Sequence, residues 1–133
     1  MGRDIDAKLA LAALDMALSS RTSTDISNLI HHSDQGVQYA SSVYVARLKE
    51  KSIQISMSRR GNPYDNAFAE TFFKTLKYEE VYLWEYETFD VAYKNIKKFI
   101  ELVYNKKRVH SSLGYVTPEE FEMSEEDLNR KVS

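Results

Sequence analysis

The sequence has no cysteine, only four glycines and two prolines in 133 residues. Nor does it contain a run approaching the ~20 consecutive apolar residues that a membrane-spanning helix needs. Without cysteine neither a disulfide nor a thiolate metal site can form, which suits a reducing cytoplasm. Scarce glycine and proline argue against a linker or a low-complexity chain. The start, Met1 to Asp6, carries charge but no apolar signal-peptide region, so no membrane partner is expected. What remains is a hydrophobic fraction of 43%, enough for a modest core, over the length of one domain, residues 1–133.

Positive charge is also short, and the formal net charge is −2. Taken as a total, this argues against nucleic-acid binding, which draws on Lys and Arg for phosphate contacts. The charges are segregated, however. Lys94, Lys97, Lys98, Lys106, Lys107 and Arg108 lie within 15 residues, whereas an acidic tail of about 119–133 carries Glu119, Glu120, Glu122, Glu125, Glu126 and Asp127. A basic face can therefore exist on an acidic molecule.

Periodicity predicts a helix over 4–20, where Ile5, Leu9, Ala12 and Met16 recur at helical spacing and Leu14 and Leu18 widen the stripe. Asn28 to His32 reads as a short strand that ends at the turn-forming Ser33-Asp34-Gln35-Gly36. Ser41 or Ser42 caps a helix to about Lys51, with Tyr44, Val45 and Leu48 inward. Ile53, Ile55 and Met57 alternate with Gln54 and Ser56, as in a half-buried strand. After a basic loop, Asn62-Pro63 opens a helix to about Tyr78, with Asp65 in its first turn. A further helix spans Asp90 to Asn105 with Ala92, Ile96, Phe99 and Val103 on one face, and Thr117-Pro118-Glu119-Glu120 caps a short terminal helix. Alternating strands and helices imply an α/β layer with a parallel sheet, although two strands alone make a poor sheet.

On the central helix, steps of about 100° per residue put Asn66, Glu70, Lys74 and Lys77 on one face and Phe68 and Phe72 opposite. Read alone, this is an ordinary amphipathic helix whose i,i+4 Glu–Lys pair is worth a few tenths of a kcal/mol. Asp34 directly follows an apolar strand, at the end where sites form in open α/β sheets, but a turn aspartate looks the same. If the two carboxylates meet, they form a hard-oxygen site suited to Mg²⁺ or Mn²⁺.

Three blocks carry a resemblance. They are His31-His32-Ser33-Asp34-Gln35-Gly36-Val37-Gln38-Tyr39, Ser56 through Arg59-Arg60-Gly61-Asn62-Pro63-Tyr64-Asp65-Asn66 to Glu70, and Tyr104-Asn105-Lys106-Lys107-Arg108-Val109-His110 through Leu113-Gly114-Tyr115 to Thr117-Pro118. Together they resemble the bacterial insertion-sequence transposases with a retroviral-integrase-type catalytic core. That family has a ribonuclease-H-like fold, an Asp-Asp-Glu triad and two divalent ions, Mg²⁺ or Mn²⁺. In it, water and then a DNA 3′-hydroxyl attack phosphodiesters. Between Asp34 and Glu70 lie 35 residues, the separation typical of the family.

The resemblance implies that Asp34 and Glu70 are catalytic metal ligands and that DNA, as insertion-sequence ends and target, is the partner. Asn66, Lys74, Lys77, Arg59, Arg60, Lys106, Lys107, Arg108 and His110 are the candidate DNA contacts. His31 and His32 alternate across a strand and cannot ligate as a pair; second-shell contact to Asp34 suits them better.

The family's first triad Asp stands on the first strand of a meander that precedes the first helix. This chain begins at that helix, and none of Asp4, Asp6, Asp15 and Asp25 follows a strand pattern. The expected fold is thus α/β, a partial ribonuclease-H-like fold lacking its first three strands, helix-rich with a small parallel sheet remnant. Either self-association through exposed strand edges or a repacked, mostly helical fold is expected, and so is inactivity of the chain alone. The alternative is a non-catalytic protein that binds DNA, or a full-length transposase, and regulates it.

Overall fold

The first helix begins where the sequence offers an acceptor. Asp6 has extended backbone angles, and its carboxylate accepts the Leu9 N–H at 2.8 Å, which satisfies one of the free donors of a helix start. From there α1 (Ala7–Ser19) is built almost wholly of good helix formers. The computed structural model describes residues 6–21, 26 and 28–124, and the chain divides into two compact units, Met1–Ala69 and Glu70–Ser133. Asp4, Ile5, Asp25 and the acidic residues from Glu125 onward lie outside the described residues.

In the first unit α1 is followed by β1 (Ile30–Ser33), α2 (Ser42–Glu50) and β2 (Gln54–Met57). The strands pair in parallel, with Ile30 opposite Gln54 and Ser33 opposite Met57. Two parallel strands cannot be joined by a hairpin, and α2 provides the crossover. Ser41 caps α2 by accepting the Tyr44 N–H. The core is Leu14, Tyr44, Leu48 and Ile53, with Ala10, Leu11, Leu18, Ile26 and Tyr39 packed around it. Behind β1 the His31 ring meets Tyr39 and Tyr44, and its Nε2 lies 2.9 Å from the Tyr44 hydroxyl.

The order of elements and the parallel sheet match the sequence reading, but the inward faces do not all do so. On α1 the buried line is Ala10, Leu11, Leu14 and Leu18, while Ala12 and Met16 face outward, Met16 at 71% exposure. A helix that is apolar nearly all round contains several stripes of helical spacing, and packing selects among them. On β1 and β2, Ile30, Ile55 and Met57 stay exposed, so the alternating apolar face of β2 is not covered.

In the second unit α3 (Ala67–Glu79) continues past the boundary with Leu76 buried and Phe72 set edge-on against Tyr104 at 5.0 Å. Phe68, expected on the core side, is 91% exposed. It stands at the start of the helix, a turn before the positions that Tyr104 covers. Between α3 and α4 (Phe89–Lys98), Tyr82 and Trp84 are largely exposed, with the Tyr82 ring edge-on to Tyr78 at 5.4 Å, and Tyr86 donates its hydroxyl to Glu80 at 3.0 Å.

The predicted 90–105 helix is realised as α4 followed directly by a π-helical stretch, Phe99–Tyr104, with Phe99 buried. Thr117 and Glu120 form the expected reciprocal cap, at 2.9 and 3.3 Å, ahead of helical residues 118–124.

Two outcomes are expected of the first core. Leu48 is only 1% exposed, so Leu48→Ala should cost about 2–5 kcal/mol in denaturant unfolding. Burial, joined by the nearby His32 charge, holds the His31 imidazole below its ordinary pKa despite an opposing backbone hydrogen bond. A base with a depressed folded pKa stabilises the fold above its unfolded value of 6.5, and this contribution is lost as pH falls through the folded value. The melting temperature should therefore drop on acidification from about pH 7 to about pH 5, and His31→Phe should flatten that dependence. Equal acid sensitivity in the variant would disprove the assignment.

Candidate active site

Asp34 stands at the carboxyl end of β1, in the first unit. Its Oδ1 accepts the Gly36 N–H at 2.8 Å, a local turn that fixes the carboxylate over its own backbone. A Cβ at Gly36 would lie 2.9 Å from Asp34 Oδ1 and 2.6 Å from Gln38 Nε2, so any larger residue would displace the ends of these two side chains. On either side, the buried Ser33 donates its hydroxyl to the Asp34 carbonyl at 3.0 Å, and Gln35 donates from Nε2 to the Ser58 carbonyl at 3.1 Å. The residue itself is exposed, and its Oδ2 makes no hydrogen bond among the described residues.

The two histidines turn away from Asp34. His31 belongs to the aromatic group behind the strand. His32 spans to β2, its Nδ1 2.8 Å from the Ser56 hydroxyl and its Nε2 3.1 Å from that of Ser58. The expected contact to Asp34 is thus replaced by a bridge between the strands, because residues of parallel neighbours stand side by side.

Glu70 opens the second unit and lies in the first turn of α3, where a carboxylate is favourable beside the free N–H groups. It is exposed and has no hydrogen-bond or ion-pair partner among the described residues; the anticipated Glu70–Lys74 pair is not formed. Asn66 ends the short 3-10 turn Pro63–Asn66 that precedes α3, and Lys74 and Lys77 are exposed along it.

The other candidate cations divide into two groups. Arg60 and Lys107 are exposed and without a partner among the described residues. Arg59 binds Asp65 through two side-chain bonds of 3.0 Å, Lys106 meets Glu119 at 3.2 Å, and Arg108 grips both oxygens of Glu79 at 2.9 to 3.1 Å. His110 is stacked on Tyr104 at 5.0 Å, with its Nε2 shielded from solvent and unpartnered among the described residues. Sequence reading missed these pairings and the part of Gln35. A partner six or more positions away, joined through a turn, follows no helical or strand period.

Carboxylate oxygens are the donors that Mg²⁺ and Mn²⁺ prefer. The donor chemistry of Asp34 and Glu70 fits such an ion. The number is short, since among the described residues no group of three or more His, Asp or Glu is placed to hold a metal.

Comparison with known proteins gives a consistent result. The integrase core domain family matches residues 51–118, and a second integrase core domain family matches residues 1–63. The chain is 52% identical over 94 residues to the transposase for insertion sequence element IS904 of Lactococcus lactis subsp. lactis (strain IL1403), covering 71% of this chain and 37% of that protein. It is 40% identical over 121 residues to the uncharacterized 31 kDa protein of insertion element IS600 of Shigella sonnei, covering 91% and 44%. With transposase InsF of insertion sequence IS3A of Escherichia coli (strain K12) it shares 39% over 122 residues, covering 92% and 42%. The chain thus spans about two-fifths of the length of these relatives. Among solved structures, the catalytic core domain of BIV integrase superposes with a TM-score of 0.61 at 24% identity, over 94% of this chain and 76% of that one, which shows the fold.

Gly36→Ala is expected to cost less than ~1 kcal/mol, because only flexible side-chain ends must move, and to shift the resonances of Asp34 and Gln38. Unshifted Asp34 and Gln38 signals would show that the close approach at Gly36 is not maintained.

Proposed function

The chain belongs to the integrase core family of insertion-sequence transposases, and on that premise we propose that Asp34 and Glu70 are two of the carboxylates that hold a divalent cation in the DNA-transposing site of the intact protein. What carries this reading is the state of the two acids. The residues named by the family resemblance, with 35 residues between them, each keep carboxylate oxygen free among the described residues (Oδ2 of Asp34, whose Oδ1 accepts the Gly36 N–H, and both oxygens of Glu70), whereas Asp65 and Glu79 are engaged by arginines.

The reaction has two steps of one kind. In the first, a water oxygen bonds to phosphorus at the element's end, the bond from phosphorus to the 3′ oxygen breaks, and that oxygen leaves as a hydroxyl. In the second, this hydroxyl attacks a target phosphodiester and displaces the target's own 3′ oxygen. Asp34 and Glu70 would hold the divalent ions, Mg²⁺ or Mn²⁺, which when bound would supply positive charge to the phosphodiester chemistry. Asp34 and Glu70 hold and orient; Gly36 fixes the Asp34 carboxylate by one bond and leaves the other oxygen for ligation. Lys74, Lys77, Arg60 and Lys107, exposed and uncommitted, contact DNA phosphate, and Asn66, in the turn before α3, is a further candidate contact. Arg59, Lys106 and Arg108 reach phosphate only by leaving their carboxylate partners. By itself the chain brings two carboxylates and does not cleave DNA. Its uncovered strand residues Ile30, Ile55 and Met57 favour association of copies.

Mn²⁺ binding, followed by titration calorimetry, should weaken about tenfold or more in Asp34→Asn and in Glu70→Gln; unchanged affinity in both sinks the metal assignment. Incubation of the chain with Mn²⁺ and insertion-sequence end DNA should give neither nicking nor joining, and either product would overturn its inactivity. On a DNA column, Lys74→Ala and Lys77→Ala should each lower the slope of log affinity against log salt by about 1, while Glu79→Gln, which frees Arg108, should raise it. Light scattering should report more than a monomer.

A further inference from the structure

The bonds around Asp34 do not stop at its own turn. Ser58, immediately beyond β2, continues the strand pairing by donating its N–H to the Ser33 carbonyl at 2.9 Å, and its carbonyl accepts Gln35 Nε2 at 3.1 Å. Ser58 is itself buried. The next residue, Arg59, makes three bonds to one carboxylate: its backbone N–H reaches Asp65 Oδ2 at 2.9 Å, its Nε reaches the same oxygen at 3.0 Å, and its terminal nitrogen reaches Oδ1 at 3.0 Å. Asp65 lies in the 3-10 turn Pro63–Asn66, which Asn62 caps by accepting the Tyr64 N–H at 3.1 Å and which runs directly into α3. Bonded residues therefore connect the turn carrying Asp34 to the turn that starts the helix of Glu70.

The geometry of this connection is unusual for a surface pair. An exposed ion pair typically contributes ~0–1 kcal/mol, and bidentate arginine–carboxylate contacts are the recognised exception. Here the bidentate contact is joined by a backbone donor, and the Asp65 side chain is only 22% exposed. Arg59's side-chain bonds and then its N–H hold the Asp65 carboxyl at about 2, well below the ordinary range, so the contact stays ionised at neutral pH.

We propose that Gln35, Arg59 and Asp65 are positioning residues, forming a strap that holds the Asp34 turn to the turn entering the Glu70 helix, and that Arg59 serves this strap and not DNA phosphate. The idea rests on reading Asp34 and Glu70 as metal ligands, but its structural part stands on the bonds alone. The strap also explains why two adjacent arginines have different fates: Arg59 is bound and Arg60 faces solvent.

The test uses the whole chain and three substitutions, Asp65→Asn, Gln35→Ala and Arg59→Gln. In Asp65→Asn the Arg59 amide should exchange with solvent faster, on the order of tenfold, as expected for loss of a charge-assisted bond. The Gln35 side-chain amide and the Gly36 N–H should shift with it, while Leu48 and Ile53 signals stay in place. Gln35→Ala cuts the strap from the other end and should move the Arg59 amide in turn. Both variants should weaken Mn²⁺ binding several-fold, and Arg59→Gln should leave the salt slope of DNA retention unchanged. Shifts confined to residues 59–66, or a slope lowered by about 1 in Arg59→Gln, would overturn the strap. If the unmodified chain binds no Mn²⁺ through Asp34 and Glu70, the metal reading fails, and the strap is judged on exchange and shifts.

Discussion

The parallel pairing of β1 with β2 is the constraint on which the rest of the first unit depends. Its register sets Ser33 opposite Met57, so the turn after one strand lies beside the turn after the other. The bonds that join the segment around Asp34 to β2 and its exit follow from this. Gln35 can reach the Ser58 carbonyl, and His32 can reach two serine hydroxyls, only because both strands run the same way and end together. The pairing is in turn held by α2, which returns the chain across the sheet and buries Tyr44 and Leu48 against Leu14 and Ile53. A hairpin connection of the same residues would place the Asp34 turn at the opposite end from Ser58.

Part of the positive charge is used inside the molecule. Arg59, Lys106 and Arg108 each face a carboxylate of the same unit, and Arg47 meets Asp15 at 3.1 Å. A chain with a net charge of −2 can thus contain a cluster of basic residues without presenting all of it. The cations left exposed and without an ion pair among the described residues include Lys74 and Lys77 on the helix of Glu70 and, within the 94–108 cluster, Lys94, Lys98 and Lys107, so the basic surface is smaller than the sequence cluster suggested. Pairs of this kind fasten loops. Arg108 on Glu79 and Lys106 on Glu119 tie the segment after the π-helix to the end of α3 and to the last helical stretch. The wider turn of the π-helix, in which the Asn105 N–H reaches back to the Ile100 carbonyl at 3.1 Å, precedes that segment directly.

Much of the fold was legible before any coordinates. Caps are local chemistry, so Asn62 before the central helix and the Thr117–Glu120 box were readable, as was the helix–strand alternation that implies a parallel sheet. The resemblance and the spacing nominate Asp34 and Glu70; the hydrogen bonds around them were not legible. The central helix starts later than the pattern implied, because Pro63–Asn66 winds as a 3-10 turn, and Asp65 holds Arg59 where it had been read as a partner of the helix dipole.

The sequence by itself determined which segments are helix and strand and the turn at Ser33–Gly36, since each of these is written in neighbouring residues. Tertiary structure decided which apolar stripe of α1 turns inward, that Phe68 stays in solvent while Phe72 meets Tyr104, that His32 bridges strands and not Asp34, and which cations remain uncommitted. These outcomes depend on residues distant in the chain competing for the same space or the same carboxylate, and a one-dimensional pattern cannot rank such competitors.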